Sequence, residues 1–397
     1  MSSQASLEAN IWKYGLYLVT NKRIFAAILG AFYLTIPEVT PKILGYIMLA
    51  GSLSGFIFEI PSGYISDKIG HKEALILSRV LTLISTLLFL FANSITFLIV
   101  AGIFMSAGHA FLSGTGSAFM HETLRSLGRD KEYTNIMGKV SSYGFAIPVI
   151  LTALVPFFVA ISYKLPFVIG LILDSIGLIV ACSLTKPKAE IRVEQNEVNT
   201  KNIVTVLKES YTLRLLPIAL VSGVVTGMLA VVGGFRAPFQ TVLSVPVIWF
   251  GVFHSIGRLL SSLMLAHSST IQKWFPLRRF YIAQTILLGL LVGSLYFVEW
   301  NVYIVGVFIL LNAFQWGLTQ VDTGYQLSLI GDHSHKATLL SISSQFDHIT
   351  AIIFGVGIGY VVEYTSYETG FLVMSIIFFA VLTPFLRYIG KSYQVQN

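Results

Sequence analysis

Five polar residues, Asn312, Gln315, Thr319, Asp322 and Gln326, recur through a stretch that is otherwise apolar. Their spacing alternates between three and four residues. That places all five on one face of a helix, over about 20 Å. Hydrogen bonds between helices would account for one or two such residues. Five in register around a carboxylate favour a water-filled pathway. A second stretch repeats the pattern with Ser222, Thr226, Gly233, Arg236 and Gln240. Ser106, His109 and Ser113 share a face in a third, and Tyr14, Tyr17 and Asn21 in a fourth. Polar faces of this kind suit the passage of a polar solute or of protons through an apolar surround.

Other ionisable groups lie in apolar stretches and need partners. His254 and Arg258 are one turn apart, and Asp347 and His348 are adjacent. An unpaired charge at mid-membrane costs about 2.5–3.5 kcal/mol on insertion scales. Arg258 can therefore be expected to pair with Asp322 or Asp347, as a structural ion pair or as part of solute or proton handling. Asp174 stands nearly alone among apolar residues and receives no role. Glu59 and Arg79 lie at matching depths, each roughly 9 Å inside its segment. They are expected to pair and hold a hairpin.

Signals for an enzyme are weak. Gly114-Thr-Gly-Ser-Ala118 has the outline of a nucleophile turn but lies in an apolar span without a strand–turn–helix context. Close helix packing is the better account of its small residues. No H-E-x-x-H and no phosphate-binding G-x-x-x-x-G-K-[ST] occurs. Asp332, His333 and His335 cluster in a link and read as a solvated loop, not a metal site. We expect no enzymatic activity, cofactor or metal.

The elements that carry these residues are set by composition. Hydrophobic residues make up 55% of the 397 and charged residues 11%. Mean hydropathy is +0.76. Soluble domains carry roughly 25% charged residues, so this chain is short of charge for a water-facing coat. About twelve apolar segments of spanning length follow in order: 12–36, 43–65, 73–93, 95–120, 136–161 and 165–184, then 212–235, 247–267, 280–298, 302–329, 337–362 and 370–389. A polar link, 185–211, divides six from six. The expected organisation is an N-terminal half over 1–184, the link, and a C-terminal half over 212–397. Repeats of this kind are a known device of secondary transporters.

The net charge is +7. The bases sit in short links between apolar runs, which argues against nucleic acid as the partner. The links after segments 2, 4, 6, 8 and 10 hold Lys68 and Lys72; Arg125, Arg129 and Lys131; Lys186, Lys188, Arg192, Lys201 and Lys208; Lys273, Arg278 and Arg279; and Lys336. The alternate links hold little beyond Lys42 and Lys164, with Glu38, Glu299, Glu363 and Glu368. The positive-inside rule then puts both termini and the central link in the cytoplasm. Cys182 is the sole cysteine, so no internal disulfide forms. Met1–Asn10 lacks a basic start and a small-residue cleavage pattern, and no cleaved signal peptide is expected.

One link is unusually dense. Glu59-Ile-Pro61-Ser-Gly63-Tyr-Ile-Ser-Asp67-Lys68-Ile-Gly70-His71-Lys72 sets an acid, a proline, two glycines and a charge cluster between two apolar runs. Gly63 leaves room for a close helix approach, and Asp67 sits at a helix terminus beside the bases. Gly63, Asp67, Lys68, Gly70, His71 and Lys72 resemble, position by position, the signature of the major facilitator superfamily between its second and third spans. Gly114–Ala118, with Glu122-Thr-Leu-Arg125 and Gly138, is also similar to bacterial members.

The resemblance implies an all-α membrane protein with twelve transmembrane helices in two six-helix bundles, working by alternating access. It implies that Asp67 steadies one conformational state against the end of the eleventh span. Spans 1, 4, 7 and 10 would line the cavity, and spans 3, 6, 9 and 12 would be peripheral. The chain departs from drug–proton antiporters. Gly144-Phe-Ala-Ile-Pro148 lacks their Gly-Pro pair, and segment 1 carries no embedded acid. The second-half counterpart of the signature, around Ser262–Arg279, is degenerate.

The expected protein is a multi-pass secondary transporter of the inner or plasma membrane, surrounded by lipid and moving a small organic solute. Proton coupling would run through Asp322, Asp347 or His109. Export is favoured over uptake by a narrow margin. The expected pathway residues are Asn21, His109, Arg236, Arg258, Asn312, Gln315, Asp322, Gln326 and Asp347. The expected gate is Gly63, Asp67, Lys68, Gly70, His71 and Lys72 with Glu59 and Arg79. The competing reading is a transporter-like sensor that binds a ligand without moving it. A sensor would be expected to carry a signalling domain, and the longest link is only about 25 residues.

Overall fold

The computed structural model describes residues 4–113, 115–129, 132–187, 212–330 and 336–392. Every apolar segment read from the sequence falls on one or two helices. In order these are α1 (Gln4–Asn21), α2 (Leu29–Tyr33), α3 (Pro41–Ile69), α4 (His71–Leu90), α5 (Ile95–Ser113), α6 (Thr115–Ser126), α7 (Tyr133–Ala153), α8 (Val155–Ile161) and α9 (Leu165–Ser183). After the link come α10 (Leu215–Val242), α11 (Phe250–Ala266), α12 (Ser268–Trp274), α13 (Leu277–Ser294), α14 (Asn301–Gly317), α15 (Thr319–Ile330), α16 (Lys336–Tyr364) and α17 (Tyr367–Ser392).

Among the described residues, nine helices are long and apolar enough to cross a membrane. The remaining three segments fall short for local reasons. Segment 1 breaks at Lys22–Arg23 and continues as a 3₁₀ turn, Ile24–Ala27, before α2. Segment 5 divides after Ala153 into α7, which contains Pro148, and α8. Segment 9 is α13, an 18-residue helix that begins with Arg278 and Arg279 in its first turn. Segment 10 is one of the nine, although its helix is interrupted at Leu318, between α14 and α15. Irregular backbone at membrane depth survives where it is buried in protein or faces a cavity.

The chain groups into two compact units. The first is Met1–Glu38, Leu53–Glu197 and Val247–Ser255; the second is Val39–Ser52, Val198–Pro246 and Ile256–Asn397. Within the second unit, the start of α3 crosses α16 at glycines. A Cβ on Gly45 would lie 2.5 Å from the Gly355 carbonyl oxygen, and one on Gly359 would lie 2.8 Å from that of Pro41. Small residues at such crossings let backbones pack closely without a hydrophobic driving force. The Tyr46 and Tyr360 hydroxyls hydrogen-bond at 2.6 Å, and Lys42 Nζ sits 4.6 Å above the Tyr360 ring.

The first unit is built around a buried charge. Arg79 of α4 has no exposed side-chain surface and Asp174 of α9 has 4%. Arg79 Nη1 donates to Asp174 Oδ1 at 3.2 Å and to the Thr20 carbonyl at 3.3 Å. Nη2 donates to Thr20 Oγ1 at 3.0 Å and to the Tyr17 carbonyl. The guanidinium carbon lies 4.2 Å over the Tyr17 ring. Thr86 Oγ1 donates to the second Asp174 oxygen at 2.6 Å. The expected Glu59–Arg79 pair is therefore corrected: Arg79 pairs with Asp174. Glu59 instead accepts from Ser113 Oγ at 3.4 Å. Gly177, one turn from Asp174, makes room, since a Cβ there would lie 2.8 Å from Arg79 Cζ.

Candidate functional site

A cavity of about 250 Å³ opens within the second unit, among α10, α13, α14, α15 and α16. Its wall is mixed, with Val225, Leu229, Phe314 and Leu318 set between polar side chains: Ser222 and Thr226 from α10, Gln284 from α13, Gln315 from α14, Thr319, Asp322, Thr323 and Gln326 from α15 or its start, and Ser343, Ser344 and Asp347 from α16. Glycines bring α16 this close. A Cβ on Gly223 would lie 2.6 Å from the Ser343 carbonyl oxygen, and one on Gly227 would lie 2.6 Å from that of Asp347.

Asp322 is the hub. Tyr281 OH donates to Oδ1 at 2.6 Å. Ser222 Oγ donates to Oδ2 at 2.6 Å, and Gln326 Nε2 donates to the same oxygen at 2.9 Å. Gln326 Nε2 also reaches Ser222 Oγ at 3.2 Å, while Ser343 Oγ donates to Gln326 Oε1 at 2.9 Å. Four helices are thereby tied to one carboxylate. Three donors suit the charged form, filling three of its roughly four acceptor sites. Adding a proton turns one oxygen into a donor, which the Tyr281 or Ser222 hydroxyl can accept by reversing its role, so protonation rearranges the network.

Of the five-residue stripe, Gln315, Thr319, Asp322 and Gln326 line this cavity. Asn312 instead packs against α11, where a Cβ on Gly257 would lie 2.8 Å from its Oδ1. In the second stripe Ser222 and Thr226 reach the cavity, whereas Arg236 and Gln240 are buried nearer the far end of α10. Arg258 lies with its guanidinium carbon 4.3 Å over the Trp316 ring. Tyr281, bonded to Asp322, and Gln284, in the cavity wall, carry no signal in the sequence. Both lie on the ninth span, which the resemblance made peripheral, and neither belongs to a periodic polar face.

The first unit holds the other candidates. His109 Nε2 and Arg23 Nη1 are 2.9 Å apart, with Arg23 presented by the break that follows α1. Asn21 is the last residue of α1. Tyr14 and Tyr17 do not face a pathway, and that expectation is corrected. They are buried and stacked at 5.9 Å between centroids, and Tyr17 OH donates to the Leu75 carbonyl at 3.2 Å. A tyrosine ring is a large apolar body whose hydroxyl needs a single partner, so tyrosines on a polar face can still be core.

The dense link forms the end of α3 and the start of α4. Gly70 has φ +105° and joins the two helices. His71 bonds Ser66 Oγ through Nδ1 at 2.9 Å and lies 3.3 Å from Glu122 through Nε2. Lys68 is exposed and Lys72 partly so. Among the described residues, nothing lies within 4 Å of a Cβ built on Gly63. The side chain of Asp67 and the Asp332, His333 and His335 cluster lie outside the described residues.

Among the described residues the protein is helical and multi-span, with a carboxylate-bearing cavity among the helices of the second unit. The model of the Major Facilitator Superfamily matches residues 15–334, and the chain belongs to that superfamily. No curated protein matches the chain in sequence. Its fold is similar to crystal structures of the nucleoside transporter NupG. For a point mutant the TM-score is 0.77 at 13% identity, covering 97% of this chain and 100% of that one. For NupG itself the values are 0.73, 13%, 98% and 100%. A D-xylose–proton symporter is similar at a TM-score of 0.70 and 12% identity, covering 96% of this chain and 98% of that one.

Proposed function

We propose that the protein is a secondary active transporter of the inner or plasma membrane that moves a small polar organic solute by alternating access, coupled to protons. Residues 1–184 and 212–397 act as its two bundles, with both termini and the link 185–211 in the cytoplasm. One observation carries the reading: a polar cavity whose buried carboxylate, Asp322, is bonded from α10, α13 and α15. Its hydroxyl and amide lining suits a hydroxylated or heterocyclic solute better than a hydrophobic one. The similar folds of a nucleoside transporter and a sugar–proton symporter agree with that choice of solute and ion.

Asp322 is the proton site in this account. Protonation removes its charge and rearranges the hydroxyls and amide bonded to it, so that occupancy and proton state are linked. His109 and Asp347 are the further proton candidates, and the turn from Gly63 to Lys72 controls which state is populated. The cavity lining offers no support for export over uptake.

Reconstitution in liposomes tests this. Candidate nucleosides and monosaccharides are supplied on one side, with pH gradients imposed in both directions and internal pH followed by a trapped dye. Solute-dependent proton movement in wild type, lost in Asp322→Ala, is expected. Saturable solute binding with no flux in either orientation would instead favour the sensor.

A further inference from the structure

The link between α11 and α13 is the second-half counterpart of the Gly63–Lys72 turn. It carries bases and no acid. No Asp or Glu occurs between Glu209 and Glu299, yet Lys273, Arg278 and Arg279 lie there. In the first unit the corresponding region is balanced: Lys186 Nζ meets Glu73 at 2.6 Å and His71 faces Glu122 at 3.3 Å. Neither Arg278 nor Arg279 forms an ion pair among the described residues.

A groove of about 570 Å³ opens beside the two arginines, walled by Phe275, Ile282, Ala283 and Ile286. Arg278 and Arg279 belong to the first turn of α13, an 18-residue helix whose N-cap is Pro276. Proline has no side-chain acceptor, so the opening N–H groups of α13 receive no cap. They add the positive end of the helix dipole to the two guanidinium charges. Further along α13, Ile286, Leu287 and Leu290 are exposed, and Trp274 stands out at 74% exposure next to Phe275. In a membrane these apolar surfaces face acyl chains, and a tryptophan at this level lies among headgroups.

We propose that this groove binds an anionic phospholipid. The phosphate rests on Arg278, Arg279 and the start of α13, and one acyl chain follows Ile282 and Ile286 into the bilayer. A free anion would use the same charges but leave the apolar trough empty. A zwitterionic lipid would fill the trough but bring no net charge to two bases that form no ion pair among the described residues. Basic pockets at this level of a membrane protein suit anionic headgroups. The site is separate from the polar cavity and does not depend on transport.

Trp274 reports on the site directly. The full chain is placed in phosphatidylcholine nanodiscs doped with dibrominated phosphatidylglycerol or dibrominated phosphatidylcholine, and the Trp274 signal is taken as the difference from Trp274→Phe. Half-quenching is expected at a mole fraction about tenfold lower for the anionic lipid. Arg278→Gln with Arg279→Gln should bring the two lipids level while leaving quenching by the choline lipid unchanged, which also shows that the variant is folded. If that variant does not fold, Arg278→Lys with Arg279→Lys is used and should retain a preference for the anionic lipid. Equal quenching by both lipids in wild type overturns the proposal. So does a preference that survives the glutamine variant or is lost in the lysine one, or displacement of the brominated lipid by inorganic phosphate at constant ionic strength.

Discussion

Replacing Asp174 by alanine should be among the most damaging single changes in the first unit. The change strands the Arg79 guanidinium, which has no exposed side-chain surface, without its carboxylate. Breaking a buried pair by removing one partner costs about 3–5 kcal/mol, because a charge is left uncompensated. Here the loss should fall near the lower end, about 3 kcal/mol. The Tyr17 and Thr20 carbonyls, Thr20 Oγ1 and the face of the Tyr17 ring still hold Arg79. Asp174→Asn keeps one acceptor for Arg79 and should cost about 1.5–3 kcal/mol. Arg79→Met with Asp174→Leu removes both charges and should recover most of the loss, since buried pairs exchange for apolar residues at little cost. The assay is denaturant unfolding in detergent, followed by tryptophan fluorescence and analysed as a double-mutant cycle. Glu59→Gln, run alongside, should cost under about 1 kcal/mol and show no coupling to Arg79. An Asp174→Ala protein within about 0.5 kcal/mol of wild type, or a cycle that couples Arg79 to Glu59 instead, would refute the reasoning.

Gly177→Ala presses a methyl group to within 2.8 Å of Arg79 Cζ and Nε, and should destabilise by about 1–3 kcal/mol in the same unfolding assay. Tyr281→Phe removes one of three donors to Asp322 and should weaken solute binding about tenfold, measured by equilibrium binding in detergent. Gly223→Leu drives a side chain into α16 beside Ser343 and should abolish solute binding, whereas Gly63→Ala, with open space around it, should bind normally. Asp67→Asn should slow flux in liposomes with binding largely intact, because it alters an equilibrium between states and not the cavity.

The spans were legible because hydropathy and loop charge are strong signals. All twelve segments lie on helices, and the first breaks where Asn21, Lys22 and Arg23 stand in its apolar run. The partner of Arg79 was less legible. Arg79 lies about 12 Å along α4 from His71, and Asp174 lies about 13 Å from the Ser183 end of α9. Depth alone thus fits Asp174 as well as Glu59. The better signal was isolation: an acid alone in an apolar span must find a base at its own depth. Periodicity gives the face a residue occupies but not the helix that face meets. For that reason Asn312 turned from the cavity to α11, and Tyr14 and Tyr17 turned out to be core. Tyr281 carried no signal, since a single tyrosine on a span expected to be peripheral is indistinguishable from packing.

The central claim is that solute movement and proton movement share Asp322. Purified protein in liposomes, loaded with a trapped pH dye and given a solute that the wild type moves, tests it in one experiment. The account predicts solute-driven proton flux in wild type and, in Asp322→Asn, solute exchange that continues without proton movement and without dependence on pH. Proton flux that remains stoichiometric with solute in Asp322→Asn would contradict it.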